Sequence, residues 1–469
     1  MRKPAFVVLL SHMLVFTTLH LVSAHAQLPS DLGPKIDRIA ADTLARTGVP
    51  SVSLAIVKDG QVAYLKAYGQ ARLEPSLEAT PNMRYSIGSI SKQFTAAAVL
   101  LLVEQGKLSL DDKVAKFLPR LTRANEVTIR QLLSHTSGYQ DYWPQDYVMP
   151  EMLEPVTPQQ ILDRWARKPL DFAPGTKWQY SNTNYVIAGL IVEQAGGMPI
   201  LDFLQQKIFT PLAMSSVANV DEEKLGGTNA SGYMRYALGP LRPAPKEGRG
   251  WLFAAGELAM PVGDLAKWDI SIMNRTLLKP TSYDEMERSI VLSDGIGTDY
   301  GLGLRVHSEL GHRALSHGGE VSGFTAHNLI FPDERVAVAV ATNQDAVEAA
   351  QEVARATARL LLANDDPEAE EKLEQARKIF LGLEHGTIDR SLFTENANFY
   401  FSEEALKDIA TGLQSLGTPE VFVQKQEALR GGMKMRIYEI RFPGKILQAW
   451  TYEMPNGKLE QYQLVPWEP

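Results

Sequence analysis

Apolar residues recur at helical spacing at Ile36, Ile39, Ala40 and Leu44, and Gly48 follows them. This predicts a helix over 34–47 that stops at the glycine. The period then changes. "SVSLAIVKDGQVAYLKAYG" (51–69) holds two strand-like runs, and Asp59-Gly60 between them suits a tight hairpin turn. Residues 89–106, "SISKQFTAAAVLLLVEQG", are apolar on most sides. They predict a buried helix that ends at Gly106. From about 110 to 290 the pattern is one of helices and loops with few strands. Strand character returns in "YGLGLRVH", "RALSHGG", "FTAHNLIFP" and "RVAVAVATNQ", the last continuously apolar as a central strand is. "AVEAAQEVARATARLLLAN" (346–364) is then an amphipathic helix. The pattern predicts an α+β fold, an antiparallel sheet flanked by helices with a helical insertion. In it the N-terminal hairpin pairs with the later strands.

Beyond Asp365 the pattern starts again. "DDPEAEEKLEQ" is acidic and helix-prone and reads as a linker. A short helical region follows, then four strand-like runs: "EVFVQKQEAL", "MKMRIYEIRF", "KILQAWTYEM" and "KLEQYQLVP". These predict a small α+β domain over 365–469, with some likeness to an NTF2-like cone. Phe399, Phe401, Trp450 and Tyr452 are candidates to line a pocket there, although such aromatics more often form core.

Composition adds boundaries. The chain has 469 residues, room for two domains, and 45% hydrophobic with 22% charged residues is ordinary for a globular protein. A net charge of −8 without a long basic run excludes nucleic acid as a partner. With no cysteine, disulfides, thiolate metal sites and cysteine nucleophiles are excluded. The N-terminus, "MRKPAFVVLLSHMLVFTTLHLVSAHAQ", has a basic start, an apolar stretch and a small-x-small site at Ala24-His25-Ala26. It predicts a signal peptide over 1–26 and a periplasmic or extracellular protein, without stable membrane insertion after cleavage. The remaining 27–364 form the expected catalytic domain.

Three short stretches carry candidate chemistry. Ser89 and Lys92 share a helix face at i and i+3. A lysine buried in an apolar helix loses ammonium solvation, and its pKa falls until it shares a proton with the serine. Ser86 and Ser91 lack such a lysine. In "WQYSNTNY", Tyr180 supplies a phenol that a nearby ammonium would hold as phenolate, a proton shuttle. The Asn182 amide can bind a substrate carbonyl and the lysine together. In "RALSHGGEVSGF", glycines after His317 let a substrate backbone approach a strand closely. An N–H there, paired with that of Ser89, would form an oxyanion hole.

Ser-x-x-Lys, Tyr-x-Asn and His-x-Gly in this order resemble the serine β-lactamase and penicillin-binding-protein superfamily. The branch is that of class C β-lactamases, D,D-peptidases, D-aminopeptidases and carboxylesterases. "LLSHTSGY" (132–139) and "AAGELAMPVGDLAKW" (254–268) fit as well, and the likeness spans roughly 34–362. It implies Ser89 as acylated nucleophile, with Lys92 and Tyr180 as base and acid. It implies Asn182, His317 and Gly319 at the substrate, and the amides of Ser89 and Glu320 at the oxyanion. His135 is implied to be structural. No cofactor and no metal are expected, and the partner is a small-molecule or peptide substrate.

The departure is His317, where β-lactamases of this branch carry lysine. A histidine of ordinary pKa is mostly neutral at pH 7 and charges only toward pH 6. Glu320, three residues along the strand, points to the other face and cannot replace it. The sequence therefore favours a peptidase or esterase. The alternatives are a β-lactamase and a non-catalytic sensor that binds penicillin or peptidoglycan.

Overall fold

The computed structural model describes residues 28–144, 149–221, 228–362 and 368–467, so the expected signal segment lies outside the described residues. The chain divides into two compact units, Met1–Leu361 and Leu362–Pro469. Among the described residues no single helix is long and apolar enough to cross a membrane.

In the first unit, helix α1 (Leu32–Thr47) ends at Gly48 in the left-handed conformation. The hairpin of β1 (Ser51–Lys58) and β2 (Gln61–Arg72) turns at Asp59-Gly60, both at positive φ. A short strand, β3 (Leu77–Glu78), follows. The later strands are β4 (Arg305–Glu309), β5 (His312–Val321), β6 (Phe324–Phe331) and β7 (Val336–Thr342). Together they form one antiparallel sheet in the order β3-β2-β1-β7-β6-β5-β4. The hairpin joins the later strands through β1 and β7, with Val52 opposite Thr342.

β1 is buried along almost its whole length, so both faces of the sheet are covered. α1 lies on one face, where Asp37 accepts hydrogen bonds from Tyr64, Lys66 and Tyr68 of β2. The intervening Leu65 points to the other face and lies beside Gly263 at the start of α4 (Val262–Asn274). α5 (Ala349–Leu362) joins the α1 face through the Arg46–Glu352 ion pair. The α4 face also carries α2 (Ser91–Glu104), which packs on α3 (Asn182–Gly196).

A chain of buried polar groups ties these layers together. Trp268 Nε1 of α4 donates to Gln93 Oε1 at 2.7 Å, and Gln93 Nε2 donates to Asn328 Oδ1 of β6 at 3.0 Å. Asn328 Nδ2 in turn donates to Asp269 Oδ1, while Asp269 Oδ2, fully buried, has no hydrogen-bond partner.

The second unit holds α6 (Ala369–Glu384), α7 (Glu403–Gln414) and four strands: β8 (Val421–Arg430), β9 (Met433–Phe442), β10 (Lys445–Glu453) and β11 (Leu459–Trp467). The strands pair in simple sequence order. The supposed linker is corrected here. From Ala369 onward it is α6, because Ala376, Ile379, Phe380 and Leu383 repeat at helical spacing and bury one face. Phe401 belongs to the core of this unit, whereas Phe399 is 89% exposed. The structure supports the α+β description of this unit and adds nothing for the finer likeness to an NTF2-like cone.

Candidate active site

Ser89 does not open the long helix. It sits in a 3₁₀ turn, Gly88–Ile90, that leads into α2 at Ser91. Gly88 takes a φ of +50°, and a Cβ there would lie 2.8 Å from the Glu320 amide nitrogen. From the other side, a Cβ on Gly319 would lie 1.9 Å from the Ile87 carbonyl oxygen and 3.4 Å from the Ser89 amide nitrogen. The nucleophile turn and strand β5 are therefore pressed backbone to backbone. The sequence reading gave the glycine role to substrate approach. For Gly319 the reason is instead this contact inside the protein. Gly318, exposed at the cavity, is the glycine that leaves room.

Lys92 lies in the first turn of α2 and is fully buried. Its Nζ is 2.9 Å from Ser89 Oγ, 2.8 Å from Asn182 Oδ1 and 2.8 Å from the Ala255 carbonyl oxygen. Burial lowers its pKa to about 7, against an opposing pull from the charge of Asp141. A neutral amine has two N–H donors and one lone pair. The two groups that can only accept, Asn182 Oδ1 and Ala255 O, take the donors. The lone pair is then left for the hydroxyl proton of Ser89.

Tyr180 hydrogen-bonds Ser89, and Lys92 Nζ stands 5.0 Å from the centre of its ring. Burial pushes the phenol well above its ordinary pKa. The expected phenolate is corrected accordingly: the lysine spends its donors elsewhere, and a buried phenol keeps its proton. The ring packs on His135 at 4.2 Å between centroids. His135, buried at a φ of +59°, accepts the Ser181 N–H on Nδ1 at 3.1 Å and so fixes the Tyr-Ser-Asn segment.

Asn182 is the first residue of α3. Its backbone N–H and its Nδ2 donate to the two carboxylate oxygens of Asp141, at 2.9 and 3.2 Å. Burial raises Asp141 to about 6. The sequence reading missed Asp141, although it stands two residues beyond the "LLSHTSGY" signature.

His317 faces α2 from β5, as its partner Asn328 does across the ladder. Its Nδ1 donates to the Gly318 carbonyl at 2.6 Å, which leaves Nε2 to accept from the Tyr300 hydroxyl at 2.9 Å. Burial, aided by the charge of Lys92, lowers its pKa to about 3. The expectation that it charges toward pH 6 is therefore corrected: the ring stays neutral across that range. Glu320 points to the opposite face and accepts the Ala346 N–H on Oε1 at 2.9 Å.

Ser89, Tyr180, Asn182, His317, Gly319 and Glu320 line one cavity of about 970 Å³, with Lys92 just beneath its floor. Tyr300 and Arg305 also line it, and neither was singled out from sequence.

Residues 36–363 match the family described as Beta-lactamase. A D-aminopeptidase of Brucella anthropi is 30% identical over 316 residues, 64% of this chain and 58% of that protein. This chain thus spans well under two thirds of that relative. Penicillin-binding protein 4* of Bacillus subtilis is 26% identical, over 74% of this chain and 78% of its own. Among solved structures, the D-amino acid amidase of Ochrobactrum anthropi SV3, complexed with L-phenylalanine amide, matches 72% of this chain and all of its own. It does so at 27% identity and a TM-score of 0.63. The octameric penicillin-binding protein homologue of Pyrococcus abyssi matches 92% of this chain and 99% of its own, at 25% identity and a TM-score of 0.63. The chain belongs to the Beta-lactamase family, and D-aminopeptidases and D-amino acid amidases are among the proteins it resembles.

Proposed function

We propose that the protein forms an acyl-enzyme on Ser89 and cleaves the amide or ester of a D-amino acid or short D-peptide, outside the cytoplasm. The observation that carries this reading is the set of three contacts around Lys92 Nζ, which leaves the amine one place to take a proton, from Ser89 Oγ. The serine oxygen attacks the acyl carbon as Lys92 takes its proton. The neutral Tyr180 then passes a proton to the departing amine or alcohol and is reprotonated from Lys92. Water repeats the sequence on the acyl-enzyme and restores Ser89. The amides of Ser89 and Glu320 are the proposed oxyanion donors.

The neutral, enclosed His317 offers no charge to the carboxylate of a β-lactam. That favours amidase or esterase chemistry over a β-lactamase. A sensor would need acylation but not the proton donors for deacylation, and both Lys92 and Tyr180 are in place. Intact-protein mass spectrometry with a fluorophosphonate tests the nucleophile. One adduct is expected on the wild type and none on folded Ser89→Ala. Labelling of that variant would end the assignment. The same spectrum reads whether residues 1–26 have been removed. A screen with D-amino acid amides, p-nitrophenyl esters and nitrocefin should give turnover highest on the first two groups.

A further inference from the structure

We infer that Asp141 anchors a positively charged α-amino group, so that the acyl half of the substrate is an amino acid with a free amine and an apolar side chain. This rests on the hydrolase reading above.

The two ends of the cavity can be told apart by where the proton must go. The leaving group is protonated by the Tyr180–Lys92 pair. Tyr180 stands against His317, 6.2 Å between ring centroids, and Tyr300 bonds His317. The leaving group therefore departs on that side. The acyl group is assigned to the part of the cavity across the Asn182 amide from Lys92, which Asp141 lines with Tyr142, Trp143, Met149, Met152 and Leu252.

Asp141 is a carboxylate with neutral partners. It accepts from the Asn182 backbone and side chain and, at 3.3 Å, from the Trp143 N–H. Among the described residues no lysine, arginine or histidine pairs with it. Lys92, Tyr142 and Tyr180 stand close enough to feel its charge, and Glu247 and Asp221 also lie near Tyr142. A carboxylate drawn from water without a counter-ion is costly to keep charged, and an ammonium brought by the substrate offsets that cost. The Asn182 amide bridges this carboxylate to Lys92, so the anchor stands one amide group from the catalytic amine. Ahead of it, Trp143 and Met149 are 54% and 45% exposed and offer an apolar side chain a surface.

The arrangement couples binding to chemistry. The negative charge of Asp141 favours the protonated form of Lys92, against the larger effect of burial. An ammonium placed on Asp141 cancels part of that field and frees Lys92 to act as base. The right substrate thus helps to prepare its own general base.

The test compares the p-nitrophenyl esters of D-phenylalanine and of 3-phenylpropanoate, which lacks only the amine. Each kcat/KM is divided by that ester's own hydroxide rate. The wild type should prefer the amine by at least about 30-fold near pH 7, and Asp141→Asn should reduce the preference to a few-fold. In the wild type the preference should fall below pH ~6, as Asp141 takes a proton, and again above pH ~7, as the substrate amine, more acidic in an ester than in a peptide, loses one. A wild-type preference near one at every pH overturns the inference, whether or not the variant folds. Equal losses on both esters in Asp141→Asn, with the preference kept, also overturn it and make Asp141 a positioning residue for Asn182. If neither ester acylates Ser89, the hydrolase reading itself fails.

Discussion

At the scale of residues, the site is governed by where protons rest. Lys92 holds its proton below about pH 7, and only the neutral amine can take one from Ser89. Activity should therefore rise as pH passes through about 7 on the acid side. Tyr180→Phe should lose ~10²-fold or more in turnover, with little change in substrate affinity. Its acid limb should stay where the wild type has it, because the limb belongs to Lys92. A limb that moves with the tyrosine would transfer the base to Tyr180. A pH–rate profile of both proteins decides the matter.

At the scale of elements, the site depends on two backbones in contact. Gly319→Ala would drive a methyl group into the Ile87 carbonyl, so β5 or the Ser89 turn must move. A displacement of about 1 Å at a catalytic group is worth roughly 10²-fold in rate. We expect a loss of that order in the rate of Ser89 acylation, together with a lowered thermal midpoint, because it is backbone that must give way. Gly318→Ala, whose Cβ would meet nothing closer than 3.9 Å, should lose much less. If the two variants lose equally, the close contact is not what aligns the nucleophile. This contact also marks how far the sequence can be read. Ser89 and Lys92 were legible because helical spacing alone makes them neighbours. The hairpin, the later strands and the four-strand tail were legible from alternation and turn residues. Asp141 was not, because its role arises from a bond to Asn182, 41 positions away. Nor was the Ala255 carbonyl, since any residue supplies one. The state of His317 was misjudged for the same reason: its burial and its bond to Tyr300 come from the fold.

At the scale of the whole molecule, each unit carries its own apolar core. A chain ending at Leu362 should therefore fold and keep Ser89 reactive toward a fluorophosphonate. Its insolubility where the full chain is soluble would show that the first unit cannot stand alone. The polar chain that ends at Asp269 has a further consequence, for stability as a function of pH. Burial raises Asp269 to about 8 from an ordinary 3.8. Between these values the folded protein holds a proton that the unfolded chain has released. This one group's contribution to stability therefore drains away as pH rises from about 4 to 8, by at most ~1.4 kcal/mol per pH unit, while the buried His317 and His327, lowered to about 3, return stability between about 3 and 6.5. Lys92 runs the other way, because its lowered pKa returns stability only as pH climbs from about 7 toward 10.5. Asp269→Asn should gain on the wild type in thermal midpoint from pH 5 to pH 8 and gain no more beyond. A constant difference over that range would refute the buried proton. The range in which Lys92 becomes a working base is thus the range in which Asp269 has nearly exhausted its contribution to the fold.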